Sequence, residues 1–299
     1  MSIKKIALLG ADGNLGPSVL HGLVAANFQV TVLKRESSKS PSNYPKGVHV
    51  AQVPDSFEVD DLTPILKGHE AVVVTIKGSE SELQKRIADA CVQAGVGHFI
   101  PADFGSCDSF SPLTGELVPL YKRKTELREY LVQLAQKHPS FSWTSLVCGH
   151  FFDWSLDFIH IYPEKRRADI LDDGNTRFSI STLARTAEAT VRVLQRPKQT
   201  ANQMLYVQSF CVTQNAIVHA YEDATRQKWE VKSLDAEKFK DDEKAKLDRG
   251  DDGATGELVW YLGTVDADWR TRDGFAMQLL GLEDEDLDTA VKAVLQKTG

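Results

Sequence analysis

The stretch from Leu8 to Gly16, "LLGADGNLG", sets three glycines at three-residue intervals between two apolar segments, and it restricts the fold more than any other part of the chain. Upstream, "IKKIALL" reads as a short buried strand. Downstream, Val19, Leu20, Leu23 and Val24 recur at helical spacing, with Pro17 where a first helical turn tolerates it. A strand, a tight glycine turn and a helix N-terminus make up a phosphate-binding unit. Gly10 permits the turn, Gly13 lets backbone approach a pyrophosphate, and Gly16 allows close packing of the helix, whose unpaired N–H groups face the anion. The spacing of the glycines is a weak signal by itself; the strand before it and the helix after it supply the specificity.

The next strand, "FQVTVL", decides which dinucleotide fits. An NAD-preferring site normally holds an acidic residue about twenty positions beyond the glycines, but here the strand runs into Lys34 and Arg35, with Lys39 following. Arg35 is suited to stack on adenine and pair with a 2′-phosphate, so the pattern points to NADPH.

Further along, "HEAVVVTIKG" is a nearly continuous apolar run, as expected of a parallel strand covered on both faces. A helix follows, opened by a capping box of Ser79 and Glu82 and closed at Gly95; "GHFIPADFG" and "FSWTSLVCG" read as further strands. Alternating strands and helices predict an α/β fold, a Rossmann-type doubly wound parallel sheet with ligands at the carboxyl ends of its strands. That places 75–78, 102–105 and 148–152 at the active-site edge. The domain reading is 1–152 for the dinucleotide-binding domain and 153–299 for a smaller, interwoven substrate-binding domain, with some segments returning to the sheet.

Composition excludes several classes. A formal charge of -7 gives no electrostatic footprint for nucleic acid or an anionic membrane. No apolar stretch approaches the roughly 20 residues that span a bilayer, and no signal h-region precedes the first strand, which predicts a cytoplasmic protein. Cys91, Cys107, Cys148 and Cys211 are scattered without ligand spacing, so free thiols and no metal site are expected.

The helix "VPLYKRKTELREYLVQLAQKH" carries Leu120, Leu127, Leu131 and Leu134 on one stripe, and Lys124 lies on that same stripe. An inward lysine either snorkels to solvent or serves a cofactor pocket, and the position soon after "PADFG" favours the pocket. The Tyr-x-x-x-Lys pair usual in short-chain dehydrogenases is absent; Tyr121 stands three residues before Lys124, one short of that spacing. Phe151, Phe152 and Trp154 read either as core or as a pocket wall, and His150 either as a structural histidine or as a proton relay. Lys77 is either a second pocket cation or a surface residue. The charged stretch from Ser233 to Glu257 predicts a solvated helix and a mobile loop, a surface element or a lid, and Leu287, Val291, Val294 and Leu295 mark a terminal helix.

Taken together, "GADGNLG", "VTVLKRESS", "HFIPADFGS", "KTELR" and "DDGNTRFSISTLARTAEATVRVL" resemble the NmrA-like and isoflavone reductase-like branch of atypical short-chain dehydrogenases, over the chain to about residue 210. The resemblance implies an NADPH-dependent oxidoreductase of secondary metabolism that reduces a small aromatic or conjugated carbonyl or enone compound, as a monomer or homodimer. It implies that Lys124 contacts the nicotinamide end and assists as general acid or base or as electrostatic stabiliser. By the same resemblance Gly10, Asp12, Gly13, Asn14, Leu15 and Gly16 hold the pyrophosphate, and Arg35 and Lys39 the 2′-phosphate. Thr75, Lys77, Phe104, Gly149 and Phe151 fall among the cofactor contacts, and Phe104, His150 and Phe152 on the substrate side. This chain departs from the family pattern at Ala102-Asp103, where Ser-Glu is usual, and at Lys77, in a turn that is usually small and uncharged. Some relatives are redox-sensing regulators that bind NAD(P) and a protein partner without turnover; the retained lysine argues for the enzyme. A non-redox role, isomerisation or cyclisation, is disfavoured by the complete glycine turn and Arg35.

Overall fold

The computed structural model describes residues 3–298. The chain begins with β1 (Lys5–Leu9), α1 (Gly16–Ala25), β2 (Gln29–Arg35), β3 (His49–Val53), α2 (Val59–Leu66), β4 (Ala71–Val74), α3 (Ser81–Ala94), β5 (His98–Ile100), α4 (Pro112–Leu117), α5 (Pro119–Lys137) and β6 (Ser142–Val147). It continues with β7 (His150–Phe151), β8 (Ile161–Tyr162), β9 (Arg167–Leu171), β10 (Phe178–Ser181), α6 (Leu183–Gln195), α7 (Pro197–Thr200), β11 (Gln203–Tyr206) and β12 (Phe210–Val212). The last elements are α8 (Gln214–Thr225), β13 (Glu230–Leu234), α9 (Ala236–Asp248), α10 (Ala254–Val265), α11 (Met277–Leu280) and α12 (Leu287–Thr298).

These elements fall into two compact units whose segments interleave along the chain. The first comprises Met1–Phe104, Leu120–Leu146 and Thr186–Leu205; the second comprises Gly105–Pro119, Val147–Arg185 and Tyr206–Gly299. The expected domain break after residue 152 lies inside a continuous segment of the second unit, and α6 and most of β11 return to the first.

Among the described residues the largest sheet has seven strands in the order β11-β6-β5-β4-β1-β2-β3. From β6 to β3 every neighbouring pair is parallel. The order reverses between β1 and β4, which pair Leu9 with Val74, so the switch point of the sheet lies where the glycine turn leaves β1. Such a reversal opens a crevice beyond the strand ends, the usual ligand position in an open α/β sheet. All four residues of β4, and four of the five in β1, are buried, which is why both strands read as apolar runs. The second unit carries two three-stranded sheets, β12-β10-β7 and β13-β9-β8.

Several local expectations need correction. α3 begins at Ser81, two residues after the expected cap, and its N-terminus has no side-chain cap. The reason is an overlapping second register: Ser81 and Gln84 turn inward, and Gln84 Oε1 accepts the Ala102 N–H at 2.7 Å. Gly95 does close the helix, in the left-handed conformation at φ 77°. On α5 Leu120 is only half-buried and Tyr121 takes its place on the inward face. The charged stretch after residue 233 is not a mobile loop. α9 is capped by Asp235, which accepts the Lys238 N–H at 2.7 Å, and a five-residue turn leads directly into α10. Phe239 packs edge-on against Trp260 and so gives the charged helix an apolar anchor. α12 forms as expected, with Val291 and Val294 buried.

Candidate active site

Two clusters of the first unit lie at the carboxyl ends of its strands. In the glycine turn, Gly10 has φ 93°, and a Cβ there would meet the Thr75 carbonyl carbon at 2.8 Å and the Ile76 nitrogen at 2.9 Å. Gly16 is tighter still: a Cβ would stand 2.0 Å from the Gly10 oxygen and 2.6 Å from the Ala11 carbonyl carbon. Both glycines are therefore required by the fold itself. Gly13 differs, because a Cβ would find its nearest neighbour at 3.4 Å, an ordinary contact. Nothing within the protein demands a glycine there, and residues 12–14 are exposed. A ligand passing close to the backbone is the remaining physical reason for it.

The turn presents its donors outward. Gly13 N–H donates to the Gly10 carbonyl at 3.0 Å, and Thr75 backs the turn, its hydroxyl donating to the carbonyls of Leu9 at 3.1 Å and Gly10 at 3.0 Å. α1 starts at Gly16 with Leu15 at its N-cap, Pro17 in its first turn, and neither a side-chain cap nor an acidic residue to occupy its N–H groups. Such an end favours an anion. Arg35 and Lys39 are both exposed beyond β2. Glycine turn, uncapped helix and exposed cations together fit a dinucleotide carrying a 2′-phosphate.

Asp12 takes a place that the sequence did not reveal. Its carboxylate accepts hydrogen bonds from Ser40 Oγ and, at 2.9 Å, from the Tyr44 hydroxyl, and it lies 3.7 Å from Lys34 Nζ. Lys34 is buried and donates to the Ser40 carbonyl and, at 2.9 Å, to Ser42 Oγ. Burial first and Asp12 second push the Tyr44 phenol up to about 12. Lys34 and Asp12 thus fasten the loop after β2 across the turn, leaving Arg35 and Lys39 as the outward cations.

The second cluster surrounds Lys124. α5 turns Lys124 inward between Tyr121 and Leu127, and its Nζ lies 5.4 Å from the centre of the Tyr121 ring. The ammonium donates to the Asp103 main-chain carbonyl at 2.5 Å and stands 3.4 Å from Asp103 Oδ1. Arg128, one turn further along α5, lies 3.2 Å from Asp103 Oδ2, which also accepts the Ser145 hydroxyl of β6 at 2.5 Å. Burial alone would raise the Asp103 pKa, but Arg128 and Lys124 together with these hydrogen bonds hold it below its usual value. On the other side the turn after β4 comes against the lysine: a Cβ on Gly78 would meet Lys124 Cε at 2.7 Å. Lys124, Thr75, Gly78 and Phe104 therefore lie at one edge of the sheet, with Phe104 buried at φ 39°, while Lys77 is exposed. Sequence reasoning missed Asp103 as a site residue. Arg128 was visible only as part of "KTELR", although its spacing of four from Lys124 puts both on one helix face.

The other expected residues belong to the second unit. Gly149 has φ 73°, and a Cβ would stand 2.1 Å from the Ser179 oxygen, so the approach of β7 to β10 requires glycine there. Phe151 is half-buried. His150 is buried with Nε2 3.2 Å from the Trp260 carbonyl, lies against Gly263, and is pushed down to about 4 by burial. Phe152 is fully buried against Phe210 and Tyr221. Both side chains pack in the interior of their own unit. Trp154 is exposed and touches Phe158. All four cysteines are free thiols, and no described helix is long and apolar enough to cross a membrane.

Comparison with known proteins gives a consistent picture. The sequence pattern of the NmrA-like family matches residues 2–248. The chain is 30% identical to oxidoreductase aprR of Aspergillus flavus over 98% of this chain and 99% of that one. It is 28% identical to oxidoreductase poxI of Penicillium oxalicum over 98% of this chain and 94% of that one. Among solved structures it is similar to AtPrR2 with NADP+ and (+)pinoresinol, at a TM-score of 0.78 and 20% identity, covering 98% and 99% of the two chains. Isoflavone reductase gives a TM-score of 0.76 at 19% identity, covering 99% and 100%. The leucoanthocyanidin reductase–NADPH complex from Vitis vinifera gives 0.77 at 16% identity, covering 98% and 99%.

Proposed function

The chain belongs to the NmrA-like family and is an oxidoreductase, and from that premise we propose that it is an NADPH-dependent reductase of a small aromatic or conjugated carbonyl or enone metabolite. The observation that carries this reading is the buried, inward Lys124, placed in the same unit and at the same sheet edge as a glycine turn whose central glycine the fold does not itself require. The aromatic class is supported by AtPrR2, whose structure holds (+)pinoresinol beside NADP+. The substrate-binding role expected of the later half of the chain is assigned to the second unit.

Gly10, Gly13 and Gly16, with the N–H groups around Asn14 and Leu15, would cradle the pyrophosphate, and Arg35 with Lys39 would pair with the 2′-phosphate. Thr75 supports the turn from behind, and Phe104 and Lys77 flank the nicotinamide end. NADPH, when bound, supplies the hydride. Lys124 places a positive charge where a substrate oxygen accumulates negative charge during reduction, or delivers a proton to that oxygen. A fixed cation in a site screened from water stabilises developing charge far better than one in solution. Buried carboxylate contacts hold Lys124 in one direction, which is the preorganisation such a role needs.

The test is NADPH consumption by the purified protein with a panel of aromatic aldehydes, aromatic ketones and enones, in wild type and Lys124→Ala. Turnover of at least one compound is expected, with kcat lower by about 10²- to 10⁴-fold in the variant and NADPH affinity nearly retained. Equal turnover in both proteins would remove Lys124 from the chemistry. NADPH binding without turnover of any compound would favour a regulator that senses the cofactor.

A further inference from the structure

Lys124 and Arg128 stand one helical turn apart on α5, both buried, and both reach the same carboxylate, Asp103. A single anion is thus held by two cations from one helix and by a hydroxyl, Ser145, from β6. Replacing such a buried ionic group by apolar residues is often neutral or stabilising, so its presence calls for another explanation than packing. The charges supply one. A lysine facing one carboxylate alone forms a neutral pair, whereas Lys124, Asp103 and Arg128 together carry a net positive charge.

The contacts are also divided in a particular way. Arg128 and Ser145 take Asp103 Oδ2, leaving Oδ1 and the main-chain carbonyl of the same residue to Lys124. The aliphatic end of the lysine is stopped on its other side by Gly78, where even a methyl group would overlap Cε. Resting on the reading that Lys124 serves the reduction, we propose that Asp103 is the positioning residue that aims Lys124. Arg128 is then the second cation, which lets Asp103 do so without cancelling the charge presented to the substrate oxygen. Arg128 and Lys124 hold the Asp103 carboxyl low despite its burial, so the anchor stays ionised.

The test reads Lys124 directly. Trace acetylation of the whole protein with acetic anhydride, mapped by mass spectrometry, gives the reactivity of Lys124 relative to its exposed neighbour Lys122. Buried Lys34 reports on the integrity of the fold. Asp103→Asn is expected to raise the Lys124 to Lys122 ratio by about tenfold or more, since it removes a charged anchor. Lys34 should be unchanged, and Asp103→Glu should return the ratio towards wild type. Ser145→Ala, which keeps every charge and covers the case in which Asp103→Asn fails to fold, should raise the ratio by about two- to fivefold. A ratio that stays at the wild-type value in a folded Asp103→Asn or in Ser145→Ala overturns the proposal, whatever Lys124→Ala does to turnover. If the ratio rises as expected but Lys124→Ala turns over substrate like wild type, the clamp stands and the assignment of Lys124 to the chemistry falls.

Discussion

The glycine turn and the lysine cluster occupy the same edge of one sheet, yet they are built from different material. The turn is backbone: three glycines, a helix end and outward N–H groups, contributed by seven consecutive residues. The lysine cluster is side chain, and its members come from the turn after β4, the turn after β5, α5 and β6. A backbone site tolerates almost any neighbouring side chain but no added carbon where the chain packs on itself. A buried charge cluster needs its ions balanced before it can be held at all. The first kind of site is sensitive to volume, the second to charge.

Volume gives the largest expected effect. Gly16→Ala puts a Cβ 2.0 Å from the Gly10 oxygen, with backbone on both sides of the conflict. A destabilisation of about 3 kcal/mol is expected in urea unfolding. A loss below about 1 kcal/mol would show that the turn can shift and would blur the contrast with the side-chain cluster.

The two regions were unequally legible in the sequence. The glycine turn could be read because its parts are contiguous and its flanking strand and helix have clear periodicities. The inward direction of Lys124 was legible from the leucine stripe of α5 for the same reason. Its partner was not, since Asp103 and Lys124 are 21 positions apart and Ser145 is 42 from Asp103. Asp12 illustrates the same limit: it matched a cofactor turn by position, but the fold uses it to hold Ser40 and Tyr44. His150 and Phe152 lay where a pocket wall was expected, and only the packing of the second unit puts them in its interior. The missed capping box at Ser79 was a choice between two registers two residues apart, settled by the distant Ala102 N–H.

Charge gives the next effect, and acid separates it from volume. His98 and His150 are both pushed down to about 4 by burial. Their folded pKa values lie below the ordinary value near ~6.5, so the unfolded chain binds more protons between those limits. Stability is therefore fully present above about pH 6.5 and is lost as pH falls towards 4, by up to roughly 3 kcal/mol for each histidine. The Asp103 carboxyl is held down by its cations against the effect of burial. Its contribution is present above the ordinary carboxylate value of ~3.9 and is lost only as pH falls through the lower folded value. Urea midpoints measured from pH 7 to 4 should thus fall through the histidine range while the ionised clamp persists. A flat profile over that range would contradict the burial of the two histidines as neutral groups.

The central claim is that a dinucleotide with a 2′-phosphate lies on the glycine turn, and calorimetric titration of NADPH and NADH into wild type, Gly13→Ala and Arg35→Ala tests it most directly. The account predicts that wild type prefers NADPH and that Arg35→Ala erases most of that preference. Gly13→Ala should keep the wild-type urea midpoint, because its Cβ meets nothing closer than 3.4 Å, while losing NADPH affinity by about tenfold or more as the added carbon intrudes on phosphate contacts. Undiminished NADPH binding by Gly13→Ala, or equal affinity of wild type for the two nucleotides, would contradict it.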